Sequence, residues 1–160
     1  MQVFDASSMI YAWDNYPIDQ FPPLWDWMAS QIEAKQLVMS DVAFREVGHK
    51  VPDCSEWLKV NKLELLAVSG TILQNAMQIK ASLGIVGDNY HPKGVDENDL
   101  LIVSTSLVNN ATLISDEGKQ ASAPQILSKR KIPAVCMMPS VSVYCISFIE
   151  YIKASGAVFR

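Results

Sequence analysis

The distribution of apolar and polar residues divides the chain into two kinds of segment. Short apolar runs bounded by charged or turn-forming residues predict strands, whereas longer segments with apolar residues three or four positions apart predict helices. The predicted strands are residues 2–5, 36–40, 111–115 and 132–138. The predicted helices are residues 23–35, 41–50, 54–61, 71–83, 96–110 and 143–155, and Gly84 and Gly156 are the expected stops of the fourth and the last of them.

The order of these elements indicates the fold class. Strands that alternate with helices are typical of an α/β protein with a mostly parallel sheet. A chain of 160 residues is long enough to bury one sizeable core. It contains no repeat, low-complexity tract or linker. We therefore expect a single domain over residues 1–160.

The overall composition excludes several classes of protein. The net charge is −4, so any nucleic-acid binding has to use a local basic patch. No apolar run approaches the roughly 20 residues of a membrane span, and the first residues lack a signal-peptide pattern. The three cysteines form neither a metal motif nor a disulfide framework and fit packing in a reducing compartment. We expect a cytoplasmic protein without membrane contact.

Acidic residues stand where a parallel sheet forms binding sites. Asp5 ends the first predicted strand, and Asp116 and Glu117 follow the third. Binding sites of open parallel sheets lie outside the carboxyl ends of the strands. Two further acids, Glu46 and Asp99, lie on helices whose ends can face the same crevice.

Clustered carboxylates repel one another unless a cation neutralises them. Oxygen ligands alone suit the hard divalent ions Mg²⁺ and Mn²⁺. His49 and His91 are isolated from other zinc-type ligands, so a zinc site is not indicated. The pattern predicts a Mg²⁺ or Mn²⁺ site if the fold brings the acids together.

These acids also have structural interpretations. Asp96 and Asp99 have the spacing of a helix N-cap and the third helical residue, which stabilises a helix start without a metal. Glu46 is compatible with a solvated helix surface, and Asp116 with a turn after a strand. Asp5 is the hardest to explain in this way, because Ala-Ser-Ser follows it directly.

The order of the motifs resembles the PIN domain, a family of metal-dependent nucleases. In that family an acid ends the first strand with a hydroxyl residue two positions later, as do Asp5 and Ser7 in "VFDASSMI". A glutamate in the second helix matches Glu46 in "SDVAFREV", and an aspartate that opens an apolar helix matches Asp99 in "NDLLIVSTSL". The resemblance covers most of the chain and implies a three-layer α/β/α sandwich around a mostly parallel sheet.

A fourth family motif departs from the usual pattern. The family has a hydroxyl residue, any residue and then an acid, usually aspartate, after a strand. In "TLISDEG" this places Ser115 as the hydroxyl and Glu117 as the acid, with Asp116 between them. Whether Asp116 or Glu117 faces the metal is therefore open. The C-terminal part resembles a PIN-like subfamily in which glutamate follows the hydroxyl, which favours Glu117.

The resemblance implies hydrolysis of RNA phosphodiester bonds with Mg²⁺ or Mn²⁺. Many members are toxins of toxin–antitoxin pairs, so RNA, a protein antitoxin and a second copy of the chain are the implied partners. The implied roles are distributed over several residues. Catalysis and metal binding fall to Asp5, Glu46, Asp99 and Glu117; support to Ser7, Ser115, Asp96 and Asp116; phosphate binding to Arg45, Lys50 and the run Lys129, Arg130 and Lys131.

Other interpretations stay open on the sequence. A phosphotransferase with a strand-end aspartate nucleophile normally has a second acid two residues later, where this chain has Ser7. A degenerate, non-catalytic PIN-like domain that binds RNA or a protein is the main alternative. Trp25 and Trp27 are expected in the core or at an interface rather than in a base-stacking platform. We predict that Trp25, or Trp27 if the helix phase is displaced by one residue, contacts a second copy or an antitoxin.

Overall fold

The computed structural model describes the whole chain from Met1 to Arg160. The strands are β1 (Gln2–Phe4), β2 (Leu37–Ser40), β3 (Leu65–Leu66), β4 (Thr112–Ile114) and β5 (Cys145–Ile146). The helices are α1 (Ala6–Asn15), α2 (Pro22–Glu33), α3 (Asp41–Lys50), α4 (Pro52–Val60), α5 (Gly70–Ser82), α6 (Glu97–Val108), α7 (Ile132–Cys136) and α8 (Phe148–Ser155). A 3-10 turn spans Leu127–Lys129.

All five strands form one parallel sheet in the order β3-β2-β1-β4-β5. In the centre of the sheet Val3 pairs with Val38 on one side and with Leu113 on the other. Every residue of β2 is buried, as expected for a parallel strand that is covered on both faces. The predicted α/β class with a parallel sheet is confirmed.

Several helices begin directly at the carboxyl ends of the strands. Asp5 is the extended N-cap residue between β1 and α1. Ser40 ends β2 and caps α3 by accepting a hydrogen bond from the Val42 backbone N–H. These tight strand-to-helix connections place α1 and the first turns of α3 at the carboxyl ends of the strands, where Asp5 lies.

Aromatic packing joins β1 to the last helix. The Phe4 ring lies 5.1 Å from Tyr151 and 6.3 Å from Phe148 between ring centroids, both in edge-to-face geometry. All three side chains are buried, and such pairs add to the stability gained by burying their apolar area. The position of α8 relative to Asp5 is therefore set by the core.

Three parts of the predicted element pattern are wrong. Residues 132–138, predicted as a strand, contain α7, which has Pro133 in its first turn where proline is readily accommodated. The last predicted helix begins five residues too early, because Cys145–Ile146 form β5 and Ser147 caps α8 through a capping box. Its end is confirmed, since Gly156 follows with φ 66°. Helix α1 and the two-residue strand β3 have no counterpart in the predicted pattern.

The two tryptophans of α2 differ in environment. Trp25 is 2% exposed and donates its indole N–H to the Tyr16 carbonyl at 2.7 Å. It belongs to the core, so the prediction of a partner contact is wrong for Trp25. Trp27 is half-buried against Tyr151 and Phe159, with ring centroids 5.3 and 5.5 Å away, and a partner contact at Trp27 stays a prediction.

Candidate active site

Asp5 is buried at the carboxyl end of β1 and is held by two hydroxyl groups. Its exposed fraction is 4%. Ser7 Oγ donates to Asp5 Oδ2 at 2.5 Å, and Ser115 Oγ donates to the same oxygen at 2.9 Å. No side chain donates to Asp5 Oδ1, and a hydrogen bond from the Ala6 backbone N–H also lowers the pKa of the carboxyl group. Side-chain hydroxyl groups thus fix Oδ2, whereas Oδ1 has no side-chain donor.

The turn after β4 supports both of these serines. The Asp116 backbone N–H donates to Ser7 Oγ at 3.0 Å, and the Glu117 backbone N–H donates to Ser115 Oγ at 3.3 Å. Each serine can therefore direct its own proton toward Asp5, because it accepts from a fixed backbone donor. The two motifs that the sequence places 110 positions apart meet in one hydrogen-bond network.

The carboxylates of Asp116 and Glu117 have different partners. Asp116 Oδ2 accepts from Ser8 Oγ at 2.7 Å and from the Phe148 backbone N–H at 3.1 Å, so it joins α1 to the start of α8. Glu117 Oε2 accepts from the Ile132 backbone N–H at 2.8 Å. Ser8 was not predicted as a site residue, and the only signal for it was the second serine of "ASS".

Asp96 and Asp99 form a capping box at the start of α6. Asp96 Oδ1 accepts from the Asp99 backbone N–H at 2.8 Å, and Asp99 Oδ2 accepts from the Asp96 backbone N–H at 3.0 Å. The interpretation of Asp96 and Asp99 as the N-cap and the third residue of a helix is therefore correct with respect to their hydrogen bonds. Burial, followed by the nearby Glu117 carboxylate, also raises the pKa of Asp99 to about 8. The cap thus holds an acid that resists ionisation.

Glu46 lies on α3 and faces the same group of acids. Its charge contributes to the raised pKa of Asp5. One turn further on, the Lys50 ammonium lies 3.0 Å from Glu46 Oε1. The hydrogen bond to Glu46 raises the pKa of Lys50, and the charges of Asp5 and Asp96 add to this effect. The interpretation of Glu46 as a purely solvated surface residue therefore does not account for its effect on the buried Asp5.

The acids at the carboxyl ends of the strands influence one another electrostatically. Burial is the main cause that raises the pKa of Asp5, while the Ser7 and Ser115 hydroxyls oppose it. Burial also raises the pKa of Glu117, with Asp5 adding to the shift and the Ile132 N–H opposing it. Acids in such surroundings ionise together only if a cation compensates their charge.

Hard divalent cations fit the chemistry of these donors. The set consists of carboxylate oxygens, with hydroxyl groups fixing one of them, which is the ligand type preferred by Mg²⁺ and Mn²⁺. No three acidic, histidine or cysteine side chains of the chain are already gathered into a metal-binding group. The donors therefore match such an ion in kind, and a bound ion would have to draw them closer together.

The predicted phosphate-binding residues are divided between two regions. Arg45 is exposed on α3, where its guanidinium lies 3.9 Å from Asp41 Oδ1. Arg130 donates its Nε–H to the Pro124 carbonyl at 3.1 Å. Lys131 lies close enough to Glu117 to counteract the rise in the pKa of that carboxyl group. Lys131 thus lies near an acid of the site, whereas Arg45 contacts its own helix.

A close backbone contact fixes this basic run beside the start of α6. A Cβ atom on Gly94 would lie 1.9 Å from the Ser128 carbonyl oxygen, so only glycine fits. The adjoining Val95 backbone N–H donates to the Arg130 carbonyl at 3.0 Å. The segment before Asp96 and the segment before α7 therefore pack directly against each other.

Comparisons with known proteins address the family and the fold. The family model described as "Domain of unknown function (DUF4411)" matches residues 2–159. No curated protein gives a significant match. No helix is both long and apolar enough to cross a bilayer.

Three solved structures resemble the chain. VapBC2 from Rickettsia felis, bound to a DNA fragment from its promoter, is 17% identical with a TM-score of 0.55 and covers 91% of this chain and 97% of its own. DNA-bound VapBC from Salmonella typhimurium is 14% identical with a TM-score of 0.56 and covers 92% and 97%. PAE2754 from Pyrobaculum aerophilum is 12% identical with a TM-score of 0.54 and covers 98% and 90%. The PIN-like α/β/α fold expected from the sequence is confirmed.

Proposed function

The chain belongs to the DUF4411 family, and from its acidic site we propose that it is a PIN-like ribonuclease dependent on Mg²⁺ or Mn²⁺. One observation carries the proposal: carboxylates from separate segments act on one another at the carboxyl edge of a parallel sheet, namely Asp5, Glu46, Asp99 and Glu117. Such an arrangement destabilises the protein unless it is used to bind a cation.

The residues of the chain have distinct proposed roles. When bound, the divalent ion would lower the pKa of a water molecule and neutralise charge on the scissile phosphate. Asp5 would hold the ion through Oδ1, since Ser7 and Ser115 keep Oδ2 in place. Orientation of a ligand by such hydrogen bonds is common around protein metal sites.

The other acids complete the proposed site. Glu46, Asp99 and Glu117 would hold the ion or orient the attacking water, while Asp96 fixes Asp99 through the capping box. Asp116 supports the site indirectly through Ser8 and the start of α8.

Basic side chains beside the acids would bind the RNA backbone. Lys129 and Arg130 belong to the segment that packs against the start of α6, and Lys131 acts on Glu117. Arg45 is a further candidate if its contact with Asp41 opens on binding. Contacts of this kind position a nucleic acid without reading its sequence.

The cellular setting is proposed from the similar structures. Two of them are VapBC assemblies bound to DNA. We propose that residues 1–160 form a single cytoplasmic PIN-like domain that acts as the toxin of a toxin–antitoxin pair. An antitoxin or a second copy would cover Trp27, which is half-buried on the surface of α2.

A nuclease assay with neighbouring acid variants tests the activity. Asp5→Asn and Glu117→Gln should lower cleavage of single-stranded RNA by about two orders of magnitude or more, because a transition-state charge loses its stabilisation. Asp116→Asn should retain most of the activity and instead lower stability, since its carboxylate joins α1 to α8. Cleavage that persists in EDTA, or in Asp5→Asn, would contradict the proposal.

A non-catalytic PIN-like domain is the second candidate. It is favoured by the absence of a preformed group of three metal-binding side chains in the chain. In that case the wild type and Asp5→Asn would bind RNA or a protein partner equally well. Neither would cleave RNA with Mg²⁺ or Mn²⁺. The same assay therefore separates the two candidates.

A further inference from the structure

Lys50 is the basic residue that pairs with the acidic site. Its ammonium lies 3.0 Å from Glu46 Oε1. The other two ion pairs of the chain join Arg45 to Asp41 and Lys119 to Glu150. None of the proposed metal-holding carboxylates other than Glu46 therefore has a lysine or arginine in direct contact.

The surroundings of Lys50 extend beyond Glu46. Asp5 from the end of β1 and Asp96 from the start of α6 also act on its charge. Lys50 ends α3, one helical turn after Glu46, so the two side chains lie on the same face. The ammonium thus contacts Glu46 directly and is influenced by the charges of two acids from other segments.

The side chain of Lys50 is free to leave this position. It is 61% exposed, and its Nζ has Glu46 as its sole hydrogen-bond acceptor. A lysine ammonium is a compact, strongly hydrated charge on a flexible stem. Its departure into solvent would disturb no core contact.

We propose, on the basis of the metal site proposed above, that Lys50 is an internal counter-ion that competes with the divalent metal for Glu46 and thereby sets metal affinity. A divalent ion and an ammonium repel each other when both approach one carboxylate. Metal binding therefore requires Lys50 to turn away from Glu46. The lost ion pair weakens the observed affinity for the metal.

Mn²⁺ titration of variants in which one lysine is replaced by uncharged glutamine tests this competition. The metal-free wild type, Lys50→Gln and Lys153→Gln are titrated with MnCl₂ and followed by calorimetry and by Tm. Lys153 is a matched control, because it is exposed on α8 and forms no ion pair. Lys50→Gln should lower the metal-free Tm and tighten Mn²⁺ binding by about two- to fivefold, the range of an exposed ion pair. Lys153→Gln should bind Mn²⁺ as the wild type does.

A second background shows whether Glu46 is the shared partner. In Glu46→Gln, the ion pair is already lost, so adding Lys50→Gln should tighten Mn²⁺ binding less than it does in the wild type. Equal or weaker Mn²⁺ binding in Lys50→Gln, with normal binding in the wild type, would overturn this inference alone. No Mn²⁺ binding by the wild type would overturn the proposed metal site and, with it, the competition.

Discussion

The two oxygens of Asp5 have unequal environments, and this asymmetry is the main residue-scale feature of the site. Oδ2 accepts hydrogen bonds from the Ser7 and Ser115 hydroxyl groups, whereas Oδ1 accepts none from a side chain. A buried carboxylate with only part of its hydrogen-bonding capacity used is costly. The hydroxyl groups reduce this cost, yet burial still raises the pKa of Asp5. A cation at Oδ1 would remove the remaining penalty.

The raised pKa of Asp99 predicts how stability changes with pH in the absence of metal. Its folded-state value of about 8 compares with about 3.9 for an unperturbed aspartate. The folded state therefore binds more protons than the unfolded state between these values. The free energy of unfolding then falls as pH rises from about 4 to about 8.

Asp99→Asn should remove this loss of stability. Asparagine keeps an oxygen that can accept from the Asp96 N–H, as Asp99 does, so the cap is largely retained. The free energy of unfolding, measured with urea in EDTA, should rise in the variant relative to the wild type by on the order of 2–4 kcal/mol between pH 5 and pH 8. Asp26→Asn, at an exposed position of α2, is the control. Parallel stability curves for wild type and Asp99→Asn would contradict the raised pKa.

At the scale of elements, the sequence predicts long amphipathic helices and buried strands better than short pieces. Helix α5 and strand β2 follow from spacing and apolar runs. Residues 132–138 form a short apolar run, and such a run has no periodicity that separates strand from helix. Helix α1 was missed because it starts at the acid that ends β1, without an intervening turn. The two-residue β3 and β5 exist through pairing with their neighbours.

The contact between the segments before α6 and before α7 gives an element-scale prediction. Gly94→Ala should destabilise the protein by about 1–3 kcal/mol, the usual cost of overpacking, because the new Cβ would meet the Ser128 carbonyl oxygen at 1.9 Å. The hydrogen bond from Val95 to Arg130 should open at the same time. Urea unfolding and amide hydrogen exchange of Val95 measure both effects.

Gly70→Ala is the matched control for this substitution. Gly70 begins α5, and a Cβ atom added there would have no other atom within 4 Å. Alanine favours helices over glycine, so this variant should be as stable as the wild type or slightly more stable. If Gly94→Ala and Gly70→Ala have the same stability, the two segments do not pack as closely as the structure indicates.

At the scale of the whole molecule, the fold accounts for what motif spacing could only suggest. Motif order places Asp5 and Ser115 in separate segments, and the β1–β4 pairing brings them within hydrogen-bond distance. The orientation of Asp116 toward Ser8 and Phe148 depends on where α8 begins. The predicted helix began before that point, so spacing alone left the direction of this acid open.

The charge distribution of the molecule leads to a last prediction about RNA binding. The net charge is −4, so the surface as a whole repels a polyanion. We expect binding to depend on the run Lys129, Arg130 and Lys131, of which Lys131 acts on Glu117. About three phosphate contacts to single-stranded RNA give a slope of about −2 in log K against log salt concentration. The slope should be measured in Mg²⁺ with Asp5→Asn, so that the RNA remains intact. Replacing all three basic residues by glutamine should flatten it toward zero, whereas Arg45→Gln should change it less, because Arg45 is engaged with Asp41. A slope of about −5 that survives the triple substitution would show that RNA binds across a broad surface and not at this site.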